Sequence, residues 1–337
     1  MRQVGRDCHA KEIKKIDSEA FQGCSSLTKL TLPDSVMSIG KGAFCGCSGL
    51  TELTLPNSVA SIGDGAFADC SGLEKITVES GNSCYDSRDN CNSIIDKKTN
   101  TLIVGCKNSI IPNSVTSIGS GAFAYCSGLT ELTLSNSLKC IEAYAFSGCR
   151  GITKLTLPNS VKSIGNSAFF ACIGLTELTL PDSLKSIDGS VFSGCSSLTK
   201  LTLPNSLESI GEHAFSDCRG LTELTLPNSV TSIGNGAFGG CSGLTELTLP
   251  NSVTSIGDAA FSECSDLSKI TSLAEIPPMC GREVFDGVNK TNCELIVPEG
   301  SVAAYKQAYG WNGFSNIRGF SGVEVTVADK TRKIVVE

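Results

Sequence analysis

The feature that most constrains the fold is a short motif, Ala-Phe-x-x-Cys or a close variant, that recurs at a fixed interval. Its phenylalanine lies at Phe21, Phe44, Phe67, Phe123, Phe146, Phe169, Phe192, Phe215, Phe238 and Phe261. Each step is 23 residues except one of 56, which is one repeat plus 33 residues. Because Val78 and Pro112 occupy adjacent repeat positions, the additional residues are 79–111. Such a period indicates stacked structural units that contact mainly their neighbours.

One well-formed copy shows how a single unit folds. It reads LTELTLPNSVTSIGNGAFGGCSG, from Leu221 to Gly243, and its L-x-x-L-x-L core is the strand signature of leucine-rich repeats. Proline then ends the strand, because it cannot donate a hydrogen bond to a sheet, and Asn-Ser forms a turn. We expect Gly234 and Gly236 to allow a tight bend. The predicted inward residues are Leu221, Leu224, Leu226, Val230, Ile233, Ala237, Phe238 and Cys241.

One coil cannot bury its apolar face alone, so the coils must stack around a shared core. The predicted fold is therefore a leucine-rich-repeat solenoid. Parallel short β-strands form its concave face, with turns, short strands or 3-10 segments on the other side. We assign residues 1–318 to the solenoid, with an insert at 79–111 and a C-terminal cap at 294–318. Residues 319–337 are predicted to form a β-like tail, which could be part of a truncated module.

The cysteines of the repeat share one phase and should form a column. They are Cys24, Cys47, Cys70, Cys126, Cys149, Cys172, Cys195, Cys218, Cys241 and Cys264. Parallel side chains about 4.8 Å apart are too distant at Cβ for disulfides, which need about 3.8 Å. We therefore predict buried free thiols that act as small apolar residues. Disulfides among the other cysteines, in the insert or beside the last coil, remain open.

Two outward strand positions are regular along the array. The first alternates in charge: Lys29, Glu52, Lys75, Glu131, Lys154, Glu177, Lys200, Glu223, Glu246 and Lys269. The second is threonine in every copy, from Thr31 to Thr271. Opposite charges and threonine pairs on neighbouring strands stabilise a sheet. Both columns therefore have a structural explanation, and neither predicts a docking surface for a charged ligand.

The insert is the largest irregularity and the candidate binding region. Ile94-Ile95 and residues 102–104 flank a turn at 97–100, which predicts a hairpin, whereas GNSCYDSRDN reads as a polar loop. Insertions in repeat proteins emerge as loops on one face, often the binding face. The candidate partner-binding residues are Tyr85, Asp86, Arg88, Asp89, Lys97 and Lys98. A purely structural spacer is the alternative interpretation.

The two ends of the array differ from the repeat. Residues 4–9 lack the strand leucines, so residues 1–12 form at best a degenerate half-coil, and no secretory signal is visible there. At the other end, Ser301 is predicted to cap a short helix, VAAYKQAY. We expect Tyr305, Tyr309 and Trp311 to cover the last coil. Val323–Val327 and Ile334–Val336 alternate like strands.

Several functional classes have no support in the sequence. The net charge of −7 provides no basic stripe for nucleic acid, and no apolar run is long enough to span a membrane. Motifs of serine hydrolases, zinc proteases, phosphate-binding loops and dinucleotide-binding folds are missing. We therefore predict a non-enzymatic protein without cofactor or metal.

The copy LTELTLPNSVTSIGNGAFGGCSG resembles the BspA-like, or Treponema-type, bacterial leucine-rich repeats over roughly residues 12–318. The insert CYDSRDNCNSIIDKKTNTLIVGCKNSIIPNSV and the stretch CELIVPEGSVAAYKQAYGWNGFSNI are also similar to segments of that family. The resemblance implies a secreted or surface-attached protein that adheres to host matrix proteins or to other cells. A structural spacer without its own ligand is the competing hypothesis, favoured by the near-identity of the coils.

Overall fold

The computed structural model describes residues 13–320, which divide into two compact units, one ending at Gly151 and one beginning at Ile152. Each unit is a solenoid of short parallel strands with very little helix. The predicted half-coil at 1–12 and the predicted strands within 321–337 lie outside the described residues. The boundary expected after residue 318 falls inside a strand that continues to Phe320.

The first unit has ten strands and one 3-10 turn. The strands are β1 (Lys15–Ile16), β2 (Ser38–Ile39), β3 (Glu52–Leu55), β4 (Ser61–Ile62), β5 (Lys75–Val78), β6 (Tyr85–Asp86), β7 (Ile94–Asp96), β8 (Thr101–Val104), β9 (Ser117–Ile118) and β10 (Cys140–Ile141). The 3-10 turn is Arg88–Asn90. β3 and β5 form one parallel pair, and β1, β2 and β4 form a separate parallel ladder.

The second unit repeats two strands per coil. The strands are β11 (Lys154–Thr156), β12 (Ser163–Ile164), β13 (Glu177–Thr179), β14 (Ser186–Ile187), β15 (Lys200–Thr202), β16 (Ser209–Ile210), β17 (Glu223–Thr225), β18 (Ser232–Ile233), β19 (Glu246–Leu249), β20 (Ser255–Ile256), β21 (Lys269–Ser272), β22 (Met279–Cys280), β23 (Glu294–Pro298) and β24 (Asn316–Phe320). Its helical segments are a 3-10 turn at Glu299–Ser301 and the helix α1 at Val302–Gln307.

The strands pair in parallel so that equal repeat positions face each other. β17 and β19 align Glu223 with Glu246 and Leu224 with Leu247, and the shorter strands align Ile233 with Ile256. Every inward residue predicted from the copy at 221–243 is at most 3% exposed. The predicted solenoid fold and its coil pattern are therefore confirmed.

Stacked phenylalanine rings form the centre of each unit. Phe21, Phe44 and Phe67 stack with ring centroids 5.2 Å apart, and Phe169 to Phe261 continue the same pattern at 5.4–5.5 Å. The interplanar angles in these stacks do not exceed 12°. Each ring therefore buries its faces against the coils on either side, which couples a coil to its neighbours.

The two bend glycines have different roles. Gly236 has φ +55, a left-handed conformation that glycine adopts without steric penalty. Gly234 is required by close packing, because a Cβ there would lie 2.7 Å from the carbonyl carbon of Gly211 in the preceding coil. Gly234 thus sets the distance between coils, and only Gly236 serves the bend.

The last coil is covered much as expected, with two corrections. Tyr305 and Trp311 are fully buried, and the Trp311 ring packs at 55° on Phe285, with centroids 5.1 Å apart. Tyr309 is 65% exposed and does not contribute to the cover. Ser301 precedes α1, but its hydroxyl donates to the Glu275 carbonyl at 2.7 Å and makes no helix cap. Its hydroxyl therefore ties the helix to the preceding coil.

Candidate functional site

The predicted charge column is neutralised by its own residues across the paired strands. Lys75 lies 3.9 Å from Glu52, and Lys154 lies 3.0 Å from Glu177. The Lys154 hydrogen bond holds the pKa of Glu177 below its ordinary value. Glu223 faces Glu246, which is an exception to the alternation of charge. Six of the ten residues of the column form ion pairs within it.

The cysteine column packs as small buried side chains. None of the seventeen cysteines within residues 13–320 forms a disulfide, and nine of the ten repeat cysteines are buried. Cys24 is exposed, so the expectation of burial is wrong there. Its coil is the first of the described stack and has a described neighbour on one side only. Elsewhere the thiols have hydrogen-bond partners: Cys218 donates to the Phe192 carbonyl at 3.3 Å, and Cys264 donates to that of Phe238 at 3.4 Å.

Burial keeps these thiols protonated. Desolvation raises the pKa of Cys70, Cys126 and Cys264 to about 12 and that of Cys195, Cys218 and Cys241 well above the ordinary value. Thiolate is the reactive form of cysteine, so a protonated buried thiol is a poor nucleophile and a poor metal ligand. The cysteine column therefore has a packing role.

The insert forms a small antiparallel sheet that joins the array at one edge. β7 pairs with β8 as the predicted hairpin, with a register shift between Ile94 and Ile95. β6 pairs with β7 as well, so the expectation of a polar loop is wrong at residues 85 and 86. β8 then pairs in parallel with β9 of the following coil. The insert therefore replaces the short strand of one coil with a three-stranded sheet.

The structure corrects the expectation for Tyr85, which is only 5% exposed. Tyr85 lies in β6 of the insert, and the residue that pairs with Ile118 at the isoleucine position is Leu102. The Tyr85 hydroxyl accepts a hydrogen bond from the Ile62 amide at 3.1 Å. Tyr85 is thus a core residue, and it offers a partner almost no surface.

Three other candidate residues are held by bonds inside the insert. Arg88 Nε lies 2.8 Å from Asp86 Oδ1, and Arg88 Nη1 donates to Asn100 Oδ1 at 2.9 Å. Lys97 Nζ donates to the carbonyl of Asn82 at 2.5 Å. These charges hold the insert together. Among the six candidates, Asp89 and Lys98 are exposed and have no side-chain partner among the described residues.

Asn82 positions the start of the insert, and sequence reasoning missed it. This residue is 1% exposed. Its Nδ2 donates to the carbonyls of Pro56 and Val59 at 2.8 and 3.0 Å. Its Oδ1 accepts from the amides of Cys84 and Tyr85 at 2.9 and 2.8 Å. A buried amide with four partners positions the chain where it leaves the repeat.

The final part of the insert is a degenerate copy of a coil strand. Residues 106–111 read CKNSII and precede Pro112, as LTELTL precedes proline in the repeat. Asn108 therefore stands at the charged position and Ile110 at the threonine position. Both are exposed, and Ile110 is 67% exposed, whereas Cys106 at a leucine position is buried. The charge column is therefore interrupted at Asn108. No described strand pairing joins β5 to the segment that carries Glu131.

Asn92 enters between β5 and this degenerate strand. Its Oδ1 accepts from the Ile76 amide at 2.6 Å, and its Nδ2 donates to the Glu74 carbonyl at 2.8 Å. These are the bonds that the peptide group of a neighbouring strand makes in a parallel ladder. The Ile110 amide meanwhile donates to the Cys91 carbonyl at 3.0 Å. Residues 91 and 92 therefore form a wedge that keeps residues 106–111 from pairing with β5.

Two open grooves lie at this interruption. The first has a volume of about 790 Å³ and runs along residues 74–78, with Ser87, Asn90, Asn92 and Asn108 also lining it. The second, of about 660 Å³, is lined by residues 107–113 and 129–133 together with Asp89 and Phe123. We call this region, residues 74–78 and 87–92 with 106–111, the insert step.

Sequence reasoning also missed two exposed aromatic residues in the first unit. Tyr125 and Tyr144 are 43% and 53% exposed, and both have left-handed backbone conformations, with φ of 58 and 57. The same repeat positions carry Gly240 and Gly236 in the well-formed copy. A left-handed conformation costs a non-glycine residue roughly 1–2 kcal/mol. An aromatic residue where the repeat uses glycine was the signal that could have found them.

The described part of the chain holds no group of three or more His, Cys, Asp or Glu side chains placed to bind a metal ion. No helix within residues 13–320 is long and apolar enough to cross a membrane.

Known proteins share this sequence pattern and fold. The BspA type leucine rich repeat region matches residues 10–99, 93–220 and 185–295. A leucine-rich repeat protein from Bacteroides ovatus is 29% identical, with 91% of this chain and 69% of that chain covered and a TM-score of 0.59. One from Eubacterium ventriosum is 25% identical, with coverages of 74% and 80% and a TM-score of 0.61.

A leucine rich cell surface protein from Faecalibacterium prausnitzii is 27% identical, with 78% of this chain and 58% of that chain covered and a TM-score of 0.49. No curated protein sequence matches the chain.

Proposed function

Because the chain belongs to the BspA type leucine-rich repeat family, we propose that it is a non-enzymatic, secreted or surface-attached protein that recognises a protein of a host or of a partner cell. The location is the one that the family implies. The buried thiols of the repeat stay protonated and are therefore poor nucleophiles. The site of recognition is the insert step.

The observation that carries this proposal is the replacement of the charge and threonine columns by a neutral and an apolar residue at the insert step. In the regular coils, the outward strand positions are charges and threonines, and many of these charges are paired. At the insert step they are Asn108 and Ile110, beside two grooves. An exposed isoleucine flanked by neutral amides is a surface that a protein partner can desolvate at low cost. Tyr125 and Tyr144 add exposed aromatic residues of the kind enriched in binding hot spots.

A pair of deletions tests the proposal. Removing residues 79–111 joins Val78 to Pro112 in repeat phase, so the product is one continuous regular array. Removing residues 221–243 deletes one regular coil, also in phase, and serves as the matched control. Binding is measured by surface plasmon resonance against a panel of host matrix and cell-surface proteins. Circular dichroism and thermal melting verify that both variants fold.

We expect the control to bind as the parent chain does and the variant without residues 79–111 to bind about tenfold more weakly or worse. Equal affinity of both deletion variants and the parent would show that the insert step does not contribute to binding.

A structural spacer is the second candidate function, and the regular coils of the second unit favour it. Their charge column cancels itself, and their threonines pair with one another, as in Thr179 with Thr202. Failure of the parent chain to bind any protein of the panel would support the spacer over recognition.

A further inference from the structure

The main chain of β5 has a hydrogen-bonding edge that no described strand covers. In three coils of the second unit, the amide at the third strand leucine donates to the threonine carbonyl of the next coil. The pairs are Leu157 with Thr179 at 3.1 Å, Leu180 with Thr202 at 3.2 Å and Leu226 with Thr248 at 3.2 Å. Val78 holds the same repeat position in β5, and its amide has no acceptor within residues 13–320.

The Ile76 carbonyl is free for the same reason. The Lys75 amide bonds to Thr51 in the preceding coil, so in a parallel ladder the groups of residues 76 and 78 point to the opposite edge. The expected donor to that carbonyl is the Ile110 amide, which is bonded to Cys91 instead. Asn92 satisfies the Ile76 amide and the Glu74 carbonyl but reaches no further along β5.

These two free groups have the spacing that one residue of an added strand requires. In a parallel pair, the N–H and the C=O of a single residue bond to a carbonyl and an amide two residues apart on the neighbouring strand. The Ile76 carbonyl and the Val78 amide are such a pair. Both belong to residues that line the groove of about 790 Å³, so an extended chain has space to lie along them.

The charges at this groove favour an uncharged occupant. Glu74 is paired with Lys107 at 2.6 Å, and Glu52 with Lys75 at 3.9 Å. Ser87, Asn90 and Asn108 supply neutral donors and acceptors. A charged side chain entering here would find no free counter-charge, whereas a neutral peptide main chain would find several amides.

We propose that an extended, uncharged segment of a protein partner adds as a short parallel strand to the free edge of β5 and fills this groove. This rests on the proposed function, and it names the mode by which the insert step binds. Edge addition derives its affinity from main-chain hydrogen bonds, and the alternate side chains supply the specificity.

The test uses the full chain and a random peptide library displayed on phage. Selected peptides are synthesised, and their affinities are measured for the parent, for Val78→Pro and for Val78→Thr. Proline removes the free N–H but none of the bonds to β3, and proline is tolerated on strand edges whose N–H faces solvent. Threonine keeps the N–H and the branched shape, so it is the matched control.

We expect Val78→Thr to bind like the parent and Val78→Pro to bind about tenfold more weakly or worse. On the unchanged protein, N-methylation of the peptide should abolish binding at one position, the nitrogen that donates to Ile76. This second measurement holds even if Val78→Pro does not fold. Peptides that bind Val78→Pro as tightly as the parent and tolerate N-methylation at every position, or a library that yields no binder, would overturn the proposal.

The proposed function and the proposal of strand addition can be disproved independently of each other. Loss of matrix-protein binding on deletion of residues 79–111, with unchanged binding by Val78→Pro, would leave the insert step as the site and exclude strand addition.

Discussion

The insert step and the regular coils of the second unit are built from the same repeat, but they satisfy their main chains differently. In most of the regular coils, each strand supplies the partners of the next, as Leu226 does with Thr248. At the insert step, the side-chain amide of Asn92 replaces some of those partners, and two groups of β5 stay open. The regular repeat therefore covers most strand edges, whereas the insert leaves that of β5 open.

A second contrast concerns how each region is stabilised. The regular coils depend on apolar columns such as the phenylalanine stack, with little use of buried polar side chains. The insert depends on a buried amide and on internal ion pairs. Polar groups have directional partners, so the insert has one arrangement that satisfies them. A fixed arrangement is what a recognition surface requires.

The largest predicted effect is a loss of stability in the regular coils. Phe215→Ala removes a fully buried ring that stacks on Phe192 and Phe238, so it should lower the free energy of unfolding by about 3–5 kcal/mol. Phe21→Ala, at a ring that is 44% exposed, should cost clearly less. Urea unfolding followed by circular dichroism measures both. Equal losses would show that stacking on both faces does not hold the coils together.

The next effect concerns the insert. Asn82→Ala removes the partner of the Val59 carbonyl and of the Tyr85 amide, both of buried residues, and each unsatisfied group costs about 1–3 kcal/mol, so we expect a loss of about 3 kcal/mol. Asn228→Ala, at an exposed turn asparagine of a regular coil, should change stability by less than about 0.5 kcal/mol. Limited proteolysis should show cleavage within residues 83–92 of the Asn82 variant. An Asn82 variant as stable and as resistant as the Asn228 variant would contradict the role of the amide.

A smaller effect depends on pH and belongs to the cysteine column. Burial raises the pKa of Cys264 to about 12 in the folded chain, above its ordinary value of about 9. The thiol therefore contributes stability that is present below pH 9 and is lost as pH rises toward 12. From pH 8 to pH 10, the parent should lose about 1 kcal/mol more than Cys264→Ala. Parallel pH profiles for the two proteins would mean that the thiol is not desolvated.

The smallest effect concerns the charge column. Glu177→Lys creates like-charge steps beside both Lys154 and Lys200 and should destabilise the chain by about 0.5 kcal/mol. Glu223→Lys is the matched control, because it removes the like-charge step opposite Glu246 but creates one beside Lys200, so it should leave the stability nearly unchanged. Melting temperatures at low and high salt measure both, and the difference should shrink at high salt. Equal shifts in both variants would exclude a pairing role for the column.

The regular part of the fold could be predicted from the sequence because its spacing repeats. The period of 23 residues predicts which residues of the copy at 221–243 point inward, and the alternation around residues 97–100 predicts the β7–β8 hairpin. The burial of Tyr85 could not be predicted in this way, because this residue lies within the insert and the polar sequence around it suggested a loop.

The site was harder to predict because its key bonds join residues from different coils. The partners of Asn82 and Asn92 lie up to 26 residues away, and nothing local marks either asparagine as buried or bridging. The degenerate strand at 106–111 could have been found by extending the repeat alignment backward from Pro112, which places Ile110 on the threonine column. The open edge of β5 could not be predicted from the sequence, because it depends on where residues 91 and 92 lie in three dimensions.

Amide hydrogen exchange of the free chain tests most directly whether the regular coils are closed and the insert step is open. The amides of Val78 and Leu226 hold the same repeat position, and only that of Leu226 has an acceptor. We predict that Leu226 exchanges roughly a hundredfold or more slowly than an unstructured peptide, whereas Val78 exchanges close to the unstructured rate. Comparable protection at the two amides would contradict the account, because it would mean that the edge of β5 is already occupied.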